Sequence, residues 1–193
     1  MKCFWFKHQP ASSGFVSVKM NATSIDFMLK TDPNTKYLWK GFLAPDVPLP
    51  KKRKKKKTTV KTRRKQTDAF QGIYILNTGP SFTKGEHWCC LIMHDTFCEF
   101  FDSYGEHPIS YNLLDSLNPG CIKIVFNKKK VQGSTAQTCG HHCVYYARER
   151  AKKQSMLSIM NKYSSHDFNK NDCMVYTYVR KNFGSKFAEI QEY

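Results

Sequence analysis

The stretch that decides the fold is His87-Trp88-Cys89-Cys90-Leu91-Ile92-Met93-His94-Asp95-Thr96-Phe97-Cys98-Glu99-Phe100-Phe101-Asp102. Two short runs rich in aromatic and aliphatic residues flank a polar centre, which reads as two strands of an antiparallel hairpin. The turn sets the register. A two-residue turn at His94-Asp95 puts His87 directly opposite Asp102, and one at Asp95-Thr96 puts Asp102 opposite Cys89, diagonal to His87 on the same side. A three-residue loop would place the two on opposite faces. Either two-residue register brings an imidazole and a carboxylate together at the open end of the hairpin.

Working outward, Gly72-Ile73-Tyr74-Ile75-Leu76-Asn77 and Cys121-Ile122-Lys123-Ile124-Val125-Phe126 also read as strands, with turn residues between them. From Gly140 the period changes. Cys139, Cys143, Ala147 and Ala151 recur every four residues, while Arg148, Glu149, Arg150, Lys152 and Lys153 lie on other faces, which predicts an amphipathic helix. A second helix is expected over Asp172 to Asn182. The fold class is therefore α+β, a mixed and mainly antiparallel sheet packed with helices.

The chain has 193 residues, enough for one domain with a real core, and its 40% apolar and 14% aromatic content excludes a disordered protein. Its longest apolar run, Trp88 to Met93, is far too short to span a membrane, and no signal peptide is read at the N-terminus. Of the eight cysteines, Cys89, Cys90, Cys98 and Cys143 lie in apolar segments and read as buried free thiols in a reducing compartment. The formal charge is +16, and its distribution matters more than its size. Eleven cations (Lys51, Lys52, Arg53, Lys54, Lys55, Lys56, Lys57, Lys61, Arg63, Arg64 and Lys65) occupy one segment, which leaves about +5 for the remainder. Residues 44–69 have no apolar periodicity and repel themselves, so they are expected to form an exposed basic loop inserted in a single domain spanning residues 1–193. Such a loop suits a nuclear-import signal or a phosphate-backbone contact, and it has no interleaved aromatics to stack on bases.

A His and an Asp at one end of a hairpin can act as a base and the group that orients it. The nucleophile they call for is Cys139, placed at the predicted first turn of a helix, where unpaired N–H groups and the macrodipole favour a thiolate. A tetrahedral intermediate also needs oxyanion donors. The Cys139 N–H is one candidate, and Gln132, in the polar loop before the helix, is the other; Gln137 stays open on spacing alone.

On these residues the sequence resembles the adenovirus-type (adenain-like) cysteine endopeptidases, which are related to the SUMO-specific proteases. The order His87, Asp102, Gln132, Cys139 is met, Gly85-Glu86-His87-Trp88 looks like the family's His-Trp element, Gln132-Gly133 stands seven before Cys139, and Trp39-Lys40-Gly41-Phe42 looks like its aromatic-glycine element. The likeness covers roughly residues 24–151 without the basic loop. Asp102 stands where adenovirus enzymes usually have Glu, and Asp102-Ser103 looks more like the SUMO-protease branch. The resemblance implies a papain-like/adenain-like fold and an endopeptidase that cuts viral structural precursor proteins at glycine-containing sites during virion maturation; a monomer is expected. It also implies the host nucleus and the virion as location, DNA as an activator, and a capsid-derived peptide joined by disulfide through Cys121. No metal or small-molecule cofactor and no membrane partner is expected. Trp88 is read either as a wall of the substrate groove or as core.

Three other readings compete. A deubiquitinase or SUMO-type peptidase would act on the tail of a folded modifier. A nucleic-acid-binding protein would keep the fold and lose the chemistry. Zinc could gather Cys139, His141, His142 and Cys143, with His87 and Cys89, yet there is no clean pair of C-x-x-C knuckles and no H-x-E with P-C-x-x-C pattern. His141 and His142 are otherwise read as surface or groove residues.

Overall fold

The hairpin closes on a two-residue turn, Asp95-Thr96. The His94 N–H donates to the Phe97 carbonyl at 2.9 Å, Met93 pairs with Cys98 and Cys90 with Phe101. Of the two registers open to the sequence, this is the one that sets Asp102 diagonal to His87. The computed structural model describes residues 19–46, 70–80, 87–112 and 123–184. Along the chain these form α1 (Ala22–Thr31), β1 (Trp39–Leu43), β2 (Phe70–Asn77), β3 (Trp88–His94) and β4 (Cys98–Phe101). A short 3-10 turn (Pro108–Tyr111) follows, then β5 (Ile124–Phe126), α2 (Cys139–Ala151), α3 (Met156–Met160) and α4 (Phe168–Phe183).

The five strands lie in the order β1-β2-β3-β4-β5, with β1/β2 and β4/β5 parallel and the two inner pairs antiparallel, so the fold is α+β with a mixed sheet. Every residue of β3 is buried, because this central strand is covered on both faces. Trp88, Cys90 and Ile92 join Ile73, Ile75 and Phe101 in the larger core under the helices, whereas Cys89, Leu91 and Met93 join Leu43, Leu76, Cys98 and Phe100 in a second cluster on the other face. That alternation is the period of two that strands impose. Phe101 and Tyr146 stack at 4.2 Å and bind α2 to the sheet.

Helix α2 follows its expected bounds but is more buried than a simple amphipathic helix. Arg150 turns inward, its Nε and Nη2 donating to Glu99 at 2.5 and 2.9 Å, and the same carboxylate accepts from the Tyr146 hydroxyl at 2.6 Å. A charged residue on the polar face of a helical wheel can be buried when its partner comes from a distant strand, here β4. His141 and His142, expected at the surface or in a groove, are core residues with 1% and 0% exposure. Cys98 is buried as expected but is disulfide-bonded rather than free. Cys89, Cys90 and Cys143 are buried free thiols. Helix α4 starts before the expected Asp172, because the Asp167 side chain caps it by accepting from the Lys170 N–H at 2.9 Å. Cys121 and the basic cations from Lys51 to Lys65 lie outside the described residues. None of the described helices is long and apolar enough to cross a membrane.

Gly140 lets α1 close on the N-terminus of α2. A Cβ there would stand 2.8 Å from Met20 Cβ and 3.4 Å from Ile25 Cδ1. Alanine gains up to about 1 kcal/mol of helix propensity over glycine, but this clash is with the root of a side chain, and overpacking costs typically about 1–3 kcal/mol. Gly140→Ala is therefore expected to lower the thermal midpoint, as read by calorimetry, and an unchanged or higher midpoint would contradict the close packing.

Candidate active site

Three element ends meet at one edge of the molecule: the residue before β3, the residue after β4 and the first residue of α2. His87 Nε2 lies 2.5 Å from Asp102 Oδ1, with His87 8% exposed and Asp102 fully buried. The carboxylate is held by its own turn. Tyr104 N–H donates to Oδ1 at 3.1 Å, Glu106 N–H to Oδ2 at 3.0 Å and the Tyr111 hydroxyl to Oδ2 at 2.9 Å. Asn127 clamps the backbone of the same residue, accepting from its N–H at 2.8 Å and donating to its carbonyl at 2.7 Å. The turn is tight enough to require glycine at 105, where φ is +76° and a Cβ would meet the backbone of Lys129 and Lys130 at 2.9 Å.

These contacts set the charges. Burial pulls the His87 pKa down, but hydrogen bonds to Asp102 and to Cys139, with the charges behind them, raise it to about 9. Burial pushes the Asp102 pKa up, yet the bond to His87 and the backbone donors bring it below the ordinary value. With Nε2 engaged by Asp102, Nδ1 is the nitrogen left for the thiol. At neutral pH the imidazole therefore carries both protons, one facing a carboxylate and the other facing Cys139.

Cys139 opens α2, and the Thr138 side chain makes no capping bond to that first turn. The residue before it, Thr138, instead donates its hydroxyl to Asp172 Oδ1 on α4 at 2.5 Å. The amide end of α2, with its partial positive charge, is left for the nucleophile's side of the site. Asp172 also accepts from the Gly133 N–H at 3.1 Å and from His142 Nε2 at 2.9 Å, so one buried carboxylate ties the loop before Cys139 to two helices. Gln132, at the start of that loop, accepts from the Ser103 hydroxyl at 2.6 Å, and its amide nitrogen donates to the Ala136 carbonyl at 2.5 Å and to the Tyr104 hydroxyl at 3.3 Å. His87, Cys139, Gln132, Gln137 and Tyr104 line one cleft of about 290 Å3, together with Lys19, Ser134, Thr135 and Ala136.

The structure thus brings together His87, Asp102, Gln132 and Cys139. Trp88 belongs to the core, 8% exposed, and donates its indole N–H to the Met20 carbonyl at 3.0 Å. The zinc reading loses His142, whose two ring nitrogens face Asp172 and Tyr163. Among the described residues the side chains grouped closely enough to share an ion are His87, Cys89 and Asp102, whose ligand atoms lie within 4.8 Å of one another. Cys89 therefore does have an imidazole and a carboxylate nearby, although burial, followed by the Asp102 charge, pushes its thiol well up. Sequence reading missed Tyr104, Asn127 and Asp172. Asn127 and Asp172 act across 25 residues or more, where spacing carries no signal, but Tyr104 lies two after Asp102 in a tight turn and was within reach of local reasoning.

No family model matches this sequence, and no curated protein does either. Among solved structures, a match is the selenomethionine crystal structure of the ASFV pS273R protease, at 21% sequence identity and a TM-score of 0.35 over 53% of this chain. The aligned part is 43% of that protein, so this chain spans less than half the length of the solved structure it matches.

Proposed function

We propose that this chain is a cysteine endopeptidase. The observation that carries the reading is His87 held by Asp102 at 2.5 Å on one nitrogen while the other serves Cys139, the first residue of a helix, inside an open cleft. The Cys139 thiolate attacks a substrate carbonyl carbon, and the carbonyl π pair moves onto oxygen. The Cys139 N–H supplies one oxyanion contact, and Gln132 serves the oxyanion side of the same cleft. The His87 imidazolium gives its proton to the departing amine, and water then hydrolyses the thioester with His87 as base. On the sequence resemblance, the substrates are viral structural precursors cut at glycine-containing sites, with DNA and a peptide on Cys121 as activators in the host nucleus and virion.

The test is alkylation by iodoacetamide across pH with peptide mapping. Cys139 is expected to label selectively over the other cysteines at neutral pH, and to do so far more slowly in His87→Ala. Labelling no faster than that of Cys173, unaltered in His87→Ala, would sink the proposal. The alkaline limb carries a separate prediction. As pH rises through about 9, His87 loses the proton the leaving group needs, so peptide hydrolysis should fall while alkylation of Cys139 does not. Parallel decline of both would point to unfolding instead. The sign for stability agrees, since a histidine whose pKa is raised on folding stabilises fully below its unfolded value near 6.5 and ceases to do so above about 9.

A further inference from the structure

The Gln132 amide has two hydrogens, and both have acceptors within the protein: the Ala136 carbonyl at 2.5 Å and the Tyr104 hydroxyl at 3.3 Å. The second of these acceptors is itself a donor. A phenol that accepts one hydrogen bond keeps its own proton to give, and the Tyr104 ring is fixed by stacking on His87 at 4.7 Å with 28° between planes. The ring lines the cleft that Cys139 and Gln132 line. Lys130 Nζ lies 5.6 Å from the ring centroid. We propose, on the basis of the peptidase reading, that the Tyr104 O–H is a catalytic oxyanion donor, polarised by the Gln132 amide behind it.

In this arrangement Gln132 acts largely through Tyr104. The amide N–H points at the phenol oxygen, which strengthens the phenol as a donor, because hydrogen bonds in a chain polarise one another. The phenol also stays protonated. Burial, followed by the Cys139 and Asp102 charges, raises its pKa above the ordinary tyrosine value, so it faces the thiolate as an O–H and not as a phenolate. When the thiolate adds to a carbonyl, the S–C bond forms and the π pair becomes an oxyanion; the Tyr104 proton is shared with that oxygen without being transferred.

Two reactions of Cys139 separate this role from any effect on the thiolate. Iodoacetamide is attacked at a saturated carbon and forms no oxyanion. With p-nitrophenyl acetate the thiolate forms an S–C bond through a tetrahedral oxyanion, and p-nitrophenolate leaves with the pair of the broken C–O bond. Tyr104→Phe keeps the stacked ring and removes only the hydroxyl. Acylation of this variant is expected to slow by at least about tenfold, and by up to the roughly two to three orders of magnitude known for an oxyanion donor, while alkylation keeps its rate and its pH profile. If both reactions keep their wild-type rates, Tyr104 is no donor. If both slow together, Tyr104 acts by positioning His87 and the proposal is overturned. If wild-type Cys139 reacts with neither reagent faster than Cys173, the peptidase reading falls and takes this inference with it, an outcome distinct from the other two.

Discussion

Replacing His87 by alanine is expected to cut peptide hydrolysis by roughly two to four orders of magnitude, the usual worth of a positioned acid-base group. It should also slow iodoacetamide alkylation of Cys139 at pH 6 by about one to two orders of magnitude. The second figure is smaller because alkylation needs no proton delivered to a leaving amine. The fold should survive the change. Asp102 loses one partner but keeps the Tyr104 and Glu106 N–H groups and the Tyr111 hydroxyl, so the buried carboxylate remains solvated by the protein. A stability loss of about 1–3 kcal/mol is expected, measurable by urea denaturation. Lost activity with a cooperative unfolding curve would locate the effect in chemistry. Retained hydrolysis would mean that another base serves Cys139.

Asp172→Ala is expected to be the most destabilising single change at the site, by about 3–5 kcal/mol, because three buried donors lose their acceptor at about 1–3 kcal/mol each. Asp172 is 1% exposed and receives Thr138 Oγ1, His142 Nε2 and the Gly133 N–H. Its removal leaves those donors buried without an acceptor. His142 cannot rescue the cluster by changing charge: burial drives its pKa down, against the pull of Asp172, so it sits neutral with the proton on Nε2 and accepts from the Tyr163 hydroxyl on Nδ1. Asp172→Asn should recover much of this, because its carbonyl can keep the Gly133 N–H while its NH2 faces the Thr138 hydroxyl and His142 Nε2, which can each accept. The urea midpoint checks this, and a loss below about 1 kcal/mol in Asp172→Ala would show that the loop before Cys139 is held by other means.

How much of this was legible in the sequence follows from the range of the forces involved. The β3-β4 pairing was legible because alternation and a short polar turn are local; the choice between its two registers was not, since neither His94-Asp95 nor Asp95-Thr96 contains the glycine that would favour one. Helix α2 was legible from its four-residue recurrence, but the burial of His141, His142 and Arg150 was not, because their surroundings come from α4, Tyr163 and Glu99. For His141 that burial leaves both ring nitrogens without a hydrogen-bond partner among the described residues and pushes its pKa down to about 3, with the nearby His142 adding to the effect. The parallel pairing of β1 with β2 was invisible too, since a parallel neighbour leaves no turn signal between its strands. The His-Asp-Cys convergence was readable as an order of residues, whereas Asn127 and Asp172, which hold that order in place, act at long separation.

The chain order of the site has a consequence for synthesis. His87 and Asp102 are made first, on a hairpin whose turn is local, and Cys139 comes later on a helix that must dock against β3. Asp172, which fastens the loop ahead of Cys139, is made later still. A nascent chain released early would therefore hold an assembled base with no thiol to deprotonate, or a thiol on an unanchored loop. On the peptidase reading, the complete site exists only once α4 closes the structure, so a half-made copy would not attack the proteins folding beside it.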